Sequence, residues 1–373
     1  MTALAYPLLA LSVTDSAARA GLLGLVALAA GALMRLPAGA VIDRTPLRRI
    51  LVGADLVRAA TTAAVAGSLL TGHLALWQLL LMASINAFGA VFSEVAHSVA
   101  IRHVVPPAQL RHAFALNDGR GHAISLAGQP AGGFLYGVAP SLPLVADVIS
   151  FTASAVVSAT IKDPLRPSPD QRARLRLRRD LLTGVIFLWS EPFLRATLCA
   201  AAGYQLVFAG ATFALIAHFT AAGATPASLG GLFAVAAVGG ILGAVAAPAL
   251  QSRLRPNRLV AIMGWTATAS FAAFAWLDQP LVAGALLGCI YFTAAPANAV
   301  LSAAQITRTP GGLQGRVVAA SYLIAGLVAP LGPPSSGALL DMTGQPPTFT
   351  AIAAVTGLVT VAMHLNRPMR TLP

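Results

Sequence analysis

Apolar runs fill almost the whole chain, and short polar or turn-forming stretches separate them. The runs predict helices at about 18–40, 50–71, 75–99, 113–137, 142–161, 193–219, 227–251, 258–277, 281–304, 317–339 and 348–365. Each is long enough, or nearly so, to cross a hydrocarbon core of about 30 Å at about 1.5 Å per residue. A first apolar run, Met1 to Val13, would span only about 20 Å, so helix 1 is expected to be shortened. It has no basic leader and no clear cleavage site, so it does not read as a signal peptide. Pro106-Pro107 stops the fourth helix.

One long hydrophilic stretch interrupts the pattern. Lys162 to Arg179 carries prolines and a dense set of arginines, and Arg179 to Trp189 reads as an interfacial helix on anionic lipid. The expected organisation is therefore a six-helix N-terminal bundle over 1–161, a linker over 162–191 and a six-helix C-terminal bundle over 192–373. An internal repeat agrees with it. Gly31, Gly39, Arg44 and Arg49 find Gly240, Pro248, Arg253 and Arg258 at one constant offset. Gly128-Gln-Pro-Ala-Gly-Gly133 likewise finds Gly332-Pro-Pro-Ser-Ser-Gly337. Corresponding elements in two six-helix halves are what a parallel-repeat transporter predicts.

Composition excludes a soluble enzyme. The 373 residues are 57% hydrophobic and 10% charged, as suits a polytopic membrane protein. A net charge of +12 in a soluble chain would suggest nucleic acid. Here the basic residues sit in short loops and act as topology signals, so no nucleic acid is expected. Arg44, Arg48, Arg49, Arg102, Arg111, the linker cluster, Arg253, Arg255, Arg258, Arg308 and Arg316 fall on one side. Asp15, Arg19, His73, Asp278 and Asp341 fall on the other. This split predicts a multi-pass membrane protein with both termini cytoplasmic. Cys199 and Cys289 lie inside apolar runs and read as packing residues. No metal ligand set is expected.

The turn Pro37-Ala-Gly-Ala-Val-Ile-Asp-Arg-Thr-Pro-Leu-Arg-Arg49 joins two apolar runs. It resembles the loop between helices 2 and 3 of the major facilitator superfamily, with Gly39, Asp43, Arg44 and Arg48 at matching positions and Arg49 beside them. Pro46 and Leu47 depart from that pattern, and Ser252 stands where the second half would repeat Asp43. The segments Ala54 to Ala59, Pro106 to Asn117, Asp147 to Phe151 and Thr309 to Val317 resemble the drug:proton antiporter-3 branch, which includes enterobactin exporters. The resemblance implies an all-α membrane protein of the major facilitator fold. It implies secondary transport by alternating access, with no enzymatic activity and no cofactor beyond a proton gradient. The expected partners are a small amphiphilic substrate, protons and the lipid bilayer, and the expected state is a monomer. Import or proton symport on the same fold is the alternative; a degenerate or sensory protein is another.

The same resemblance assigns roles. Asp43 would touch the start of helix 11 near Gly315–Val317 and stabilise an outward-open state. Gly128, Pro130, Gly132 and Gly133 match an antiporter-associated segment, with the proline displaced by one place; they read as a helix-5 bend or as close packing alone. His97 stands where the branch commonly has arginine. Asn86, Ser93 and His97 lie within about 20° of one line on helix 4 at 100° per residue. Tyr291, Asn298, Ser302 and Gln305 form a similar stripe on helix 10. Both stripes, with Tyr6, Tyr204 and Gln205, are candidate cavity lining, the alternative being polar contacts between helices. Among the ionisable residues, Asp55 and Arg58 are expected to pair one turn apart, near the cytoplasmic surface. Glu94 is the candidate proton carrier or a structural partner of Arg35 or Arg120.

Overall fold

The computed structural model describes residues 2–42, 45–106, 109–160, 183–311 and 313–366. All regular structure among them is helical. The first half holds α1 (Thr2–Thr14), α2 (Ala17–Ile42), α3 (Leu47–Leu70), α4 (Leu76–Val104), α5 (Leu110–Val138) and α6 (Leu142–Ala159). The second holds α7 (Pro192–Ala221), α8 (Pro226–Arg253), α9 (Pro256–Ala273), α10 (Pro280–Thr307), α11 (Gln314–Val328), α12 (Gly332–Thr343) and α13 (Gln345–Leu365). Ten stretches among the described residues are long and apolar enough to cross a membrane, α11 and α12 together making one. The chain is therefore a multi-pass membrane protein with two six-helix bundles.

Local chemistry sets the boundaries. Proline sits in the first turn of α7, α8, α9 and α10, where its missing N–H costs nothing. Glu191 and Thr225 cap α7 and α8 by accepting from the N–H groups of Leu194 and Ser228. Gly72, Gly223 and Gly344 adopt positive φ just past α3, α7 and α12. Three expectations are corrected. Helix 4 runs on to Val104, and Arg48 and Arg49 belong to the first turn of α3. Helix 11 is broken: Ala329–Leu331 is a 3₁₀ turn between α11 and α12, because Pro333 and Pro334 cannot continue the hydrogen-bond ladder behind them. The expected linker lies mostly outside the described residues. Residues 183–190 are helical, with Leu188 buried while Ile186 and Trp189 are exposed.

In the first half α3 packs on α6 and α4, and α2 on α4. In the second, α8 packs on α10, and α9 on α10 and α13. The halves meet through α2 against α12, α5 against α8, and α1 against α7. Leu4 and Leu8 of α1 join the core of the second half. Phe213 and Ala217 of α7 join that of the first. One end of the molecule, here the basic end, carries Arg48, Arg49, Arg253, Arg255, Arg308 and Arg316. The other carries the turns at 15–16, 71–75, 222–225 and 278–279. Exposed Trp77 and Trp276 lie near that second end and Trp189 near the basic end, the positions of interfacial aromatic belts.

Candidate functional site

Two seams close the halves against each other at the end away from the basic loops. In the first, the helix-5 motif lies against the start of α8. A Cβ on Gly133 would stand 2.5 Å from Gly230 Cα and 2.8 Å from the Pro226 carbonyl oxygen. A Cβ on Gly230 would stand 2.9 Å from the Pro130 carbonyl oxygen. In the second, α12 lies against the start of α2. A Cβ on Gly337 would collide with the Ala17 carbonyl oxygen, and one on Gly21 would stand 2.7 Å from that of Pro333. Gly133 and Gly337 are repeat equivalents, so the two segments matched in sequence occupy matching seams. Gly128 and Gly132 belong to the same segment. At Gly21, Gly133, Gly230 and Gly337 glycine is required because backbone meets backbone.

The seams differ in one polar device. Asp341 of α12 accepts from Ser16 Oγ at 2.7 Å, from the Ala17 N–H at 3.0 Å and from the Ala18 N–H at 2.9 Å. A carboxylate from the second half thus caps the first turn of α2 in the first half. At the matching place in the other seam Gly137 faces Ala227, while Thr225 caps α8 from its own chain segment. Sequence reading placed Asp341 in an outer loop; only the long-range pairing reveals its role. Asp341→Ala is expected to cost the closed seam about 1 kcal/mol, the usual worth of an N-cap. That is roughly fivefold in the closed-to-open ratio. Spin-label distances between the 71–75 and 277–280 turns measure it, and an unchanged distribution would remove Asp341 from the latch.

The polar stripes divide. On α4, Asn86 turns toward α3: Arg58 Nε donates to its Oδ1 at 3.3 Å and its Nδ2 donates to Thr62 Oγ1 at 3.4 Å. Ser93 is buried, and His97 Nδ1 lies 2.7 Å from the Ser93 carbonyl oxygen. At Asn86 the stripe is a contact between helices, not cavity lining. Tyr204 also points away from the centre, with its hydroxyl 2.9 Å from Thr360 Oγ1 on α13. On α7, Gly203 faces α13, Phe208 faces Tyr291 of α10, and Gly210 faces α12. Gln205 lies on the remaining face and is exposed. The Phe208 and Tyr291 rings are 5.6 Å apart. Tyr291 also lies beside Gly240, which in turn lies beside Leu126 of α5. Asn298 and Ser302 are exposed on α10, and Gln305 Nε2 donates to Ser321 Oγ at 2.8 Å. Tyr6 is buried in the core that α1 shares with α4 and α7. The residues that the contacts bring together here are Phe208, Tyr291 and, across Gly240, Leu126 of the other half; Phe208 and Leu126 carry no polar signal for sequence reading to find.

Two ion pairs stand apart in environment. Arg35 and Glu94 meet at 3.5 Å with their side chains 51% and 61% exposed. Glu94 lies only about 6 Å from the midpoint of α4 along its axis. A charged pair so exposed at that depth needs water beside it, since lipid would not tolerate it. Arg58 and Asp55 also meet at 3.5 Å, but Asp55 is 3% exposed. The sequence expects this pair near the surface of the membrane. The structure sets it deeper, about 12 to 17 Å along α3. There Ser154 Oγ donates to Asp55 at 2.6 Å and Phe151 lies 3.9 Å under the Arg58 guanidinium. Asp43 and Arg44 of the gating motif lie outside the described residues. Gly39 falls in the last turn of α2, and Arg48 and Arg49 open α3.

Two bundles joined by glycine seams at one end, with an exposed ion pair between helices toward the other, suit a polytopic membrane transporter. The family model for the Major Facilitator Superfamily matches residues 1–320, and the chain belongs to that superfamily. Over 371 residues, 95% of the chain and 88% of the relative, it is 26% identical to the multidrug efflux pump Tap of Mycolicibacterium fortuitum. Among solved structures it is similar to the nucleoside transporter NupG. The TM-score is 0.62 at 12% identity, covering 96% of this chain and 91% of that one. It is also similar to the human organic anion transporter MFSD10 (TETRAN). There the TM-score is 0.58 at 16% identity, covering 92% and 83% of the two chains. These two similarities bear on the fold.

Proposed function

We propose that this chain is a proton-driven exporter of small amphiphilic compounds, such as drugs, natural products or siderophores, in the bacterial inner membrane. The observation that carries the reading is the full-length relationship to a multidrug efflux pump. The basic end is cytoplasmic by the arginine distribution, which puts both termini inside and both closed seams outside. On that orientation the closed seams seal the outer side, as an inward-facing state requires. Substrate enters from the cytoplasm between the halves, meets Tyr291, Phe208 and Gln205, and leaves when the seams part and the cytoplasmic ends close. An aromatic, nearly uncharged lining suits amphiphilic cargo. The exporter works as a monomer.

Asp43 serves the opposite state. It holds the start of α11 when the cytoplasmic ends close. Asp43→Asn is expected to leave insertion intact and to cut transport at least tenfold. Unchanged flux would remove Asp43 from gating.

Everted membrane vesicles, acidified inside, test the direction. Antiport predicts that a panel of fluorescent cations and antibiotics collects inside the vesicles and discharges the pH gradient. Uptake only when the gradient is reversed would show symport or import instead.

A further inference from the structure

At mid-membrane depth an aromatic pair stands where the halves meet. Leu126 of α5, Phe208 of α7, Gly240 of α8 and Tyr291 of α10 each lie within about 4 Å of the midpoint of their own helix, at about 1.5 Å per residue. A Cβ on Gly240 would stand 3.5 Å from Tyr291 Cβ and 3.7 Å from Leu126 Cδ2. At this point α8 therefore faces a tyrosine of the second half and a leucine of the first together. The Phe208 and Tyr291 ring centroids are 5.6 Å apart and the rings are tilted by 40°. Leu126 lies about two helical turns from Gly133 toward the basic end, so the group sits beneath a closed seam.

Burial and hydrogen bonding set this pair apart. The contacts of Phe274 with Phe271 and Phe349 are sealed core, each ring being 2% exposed or less. Phe208 and Tyr291 are only half-buried. The Tyr204 hydroxyl is engaged by Thr360. The Tyr291 hydroxyl makes no hydrogen bond to any described residue, and it is not sealed from solvent. Lipid at this depth offers no partner either, so the O–H is left for water or for cargo. The glycines of α8 point the same way. A Cβ on Gly239 or Gly243 would collide with the carbonyl oxygen of Gly288 or Phe292 of α10, so those two serve close packing. A Cβ on Gly240 would fit at ordinary contact distance, so what glycine provides there is room.

We infer that this group is a subsite for a flat aromatic ring, neutral or carrying a delocalised positive charge, whose edge bears a hydrogen-bond acceptor. The inference rests on the exporter reading above in taking cargo to pass between the halves. Phe208 and Tyr291 already touch, so the cargo ring lies against the pair and not between its members. Their electron-rich faces favour neutral rings and delocalised cations and disfavour carboxylates. The Tyr291 O–H donates to the acceptor on the cargo. Leu126 bears on the same space from the first half, so bound cargo touches both halves, as rocking of the halves around a midplane site requires. Gly240 sets the size of ring that enters, because a larger side chain there fills the room between Tyr291 and Leu126.

Binding to the purified chain in lipid nanodiscs, with empty nanodiscs subtracted, tests this without a gradient or any transport. Export that works while the binding pattern fails would overturn the subsite alone; the vesicle assay decides the exporter reading separately. The probes are xanthone, a flat fused ring system with a ring carbonyl, xanthene, which lacks that carbonyl, and the ring-carboxylated derivative of xanthone. Xanthone should bind about threefold to tenfold more tightly than xanthene, the worth of one hydrogen bond, and more tightly than its carboxylated derivative. Tyr291→Phe should bring xanthone down to the affinity of xanthene and leave xanthene unchanged. Tyr204→Phe should preserve the difference, since that hydroxyl faces Thr360. Gly240→Leu should weaken xanthone by about tenfold or more and leave single-ring acetophenone nearly unchanged. Equal affinities for xanthone and xanthene, a difference that survives Tyr291→Phe, or equal losses of xanthone and acetophenone in Gly240→Leu would each overturn the inference. The xanthone–xanthene comparison uses the native chain, so it stands even if a variant fails to fold.

Discussion

Gly133→Val is expected to hold the halves apart at the end they now close. The added Cβ would meet Gly230 Cα at 2.5 Å, Gly230 N at 2.6 Å and the Pro226 carbonyl oxygen at 2.8 Å. All three are backbone atoms of a helix end, so no side chain can swing aside. Either α5 and α8 separate or the closed seam is lost. Overpacking of this kind costs about 1–3 kcal/mol, and about 2 kcal/mol shifts a two-state balance roughly thirtyfold. The measurement is the distance between labels at His73→Cys and Asp278→Cys, with Cys199 and Cys289 replaced. The variant should lengthen it and stop transport while leaving expression intact. Gly67→Val is the control, since nothing lies within 4 Å of a Cβ there. Equal distances in the two variants would show that this seam does not gate.

Arg58→Met is expected to produce the largest loss of stability from a single polar residue. It strips Asp55 of its counter-charge inside the helix bundle while keeping most of the side-chain volume against Gly89 and Phe151. Removing one partner of a buried pair costs about 3–5 kcal/mol. Thermal unfolding of the detergent-solubilised chain should show a clear fall in Tm, and adding Asp55→Asn should recover part of it. Arg35→Met removes a pair that both partners expose to water, worth about 1 kcal/mol at most. Similar shifts for the two variants would contradict the burial argument.

Much of this fold is written in the apolar runs, because a membrane forces every spanning segment to be a continuous helix. The arginine-rich turns and the two repeated glycine segments locate the halves as well. The break between α11 and α12 is encoded too, in Pro330, Pro333 and Pro334, but an apolar run conceals it. The site is less legible. Helix periodicity puts Asn86 on a polar stripe without saying which neighbour that stripe meets, and the structure shows α3. Tyr204 fails as cavity lining for the same reason: Thr360 lies 156 residues away in the chain and only its packing reveals the bond. Asp341 gains its role wholly from partners 323 to 325 residues away, at the start of α2. Gly133 and Gly337 are legible as glycines that permit close approach, but not as the two halves of one gate.

The most direct test of the account is accumulation of a panel of fluorescent and antibiotic compounds in cells that lack their own pumps. Cells carrying this chain are compared with empty cells, with and without a proton uncoupler. The account predicts lower accumulation of at least some amphiphilic compounds, restored to the empty-cell level by the uncoupler. Accumulation that rises with the chain, or that falls equally with the uncoupler present, would contradict proton-driven export.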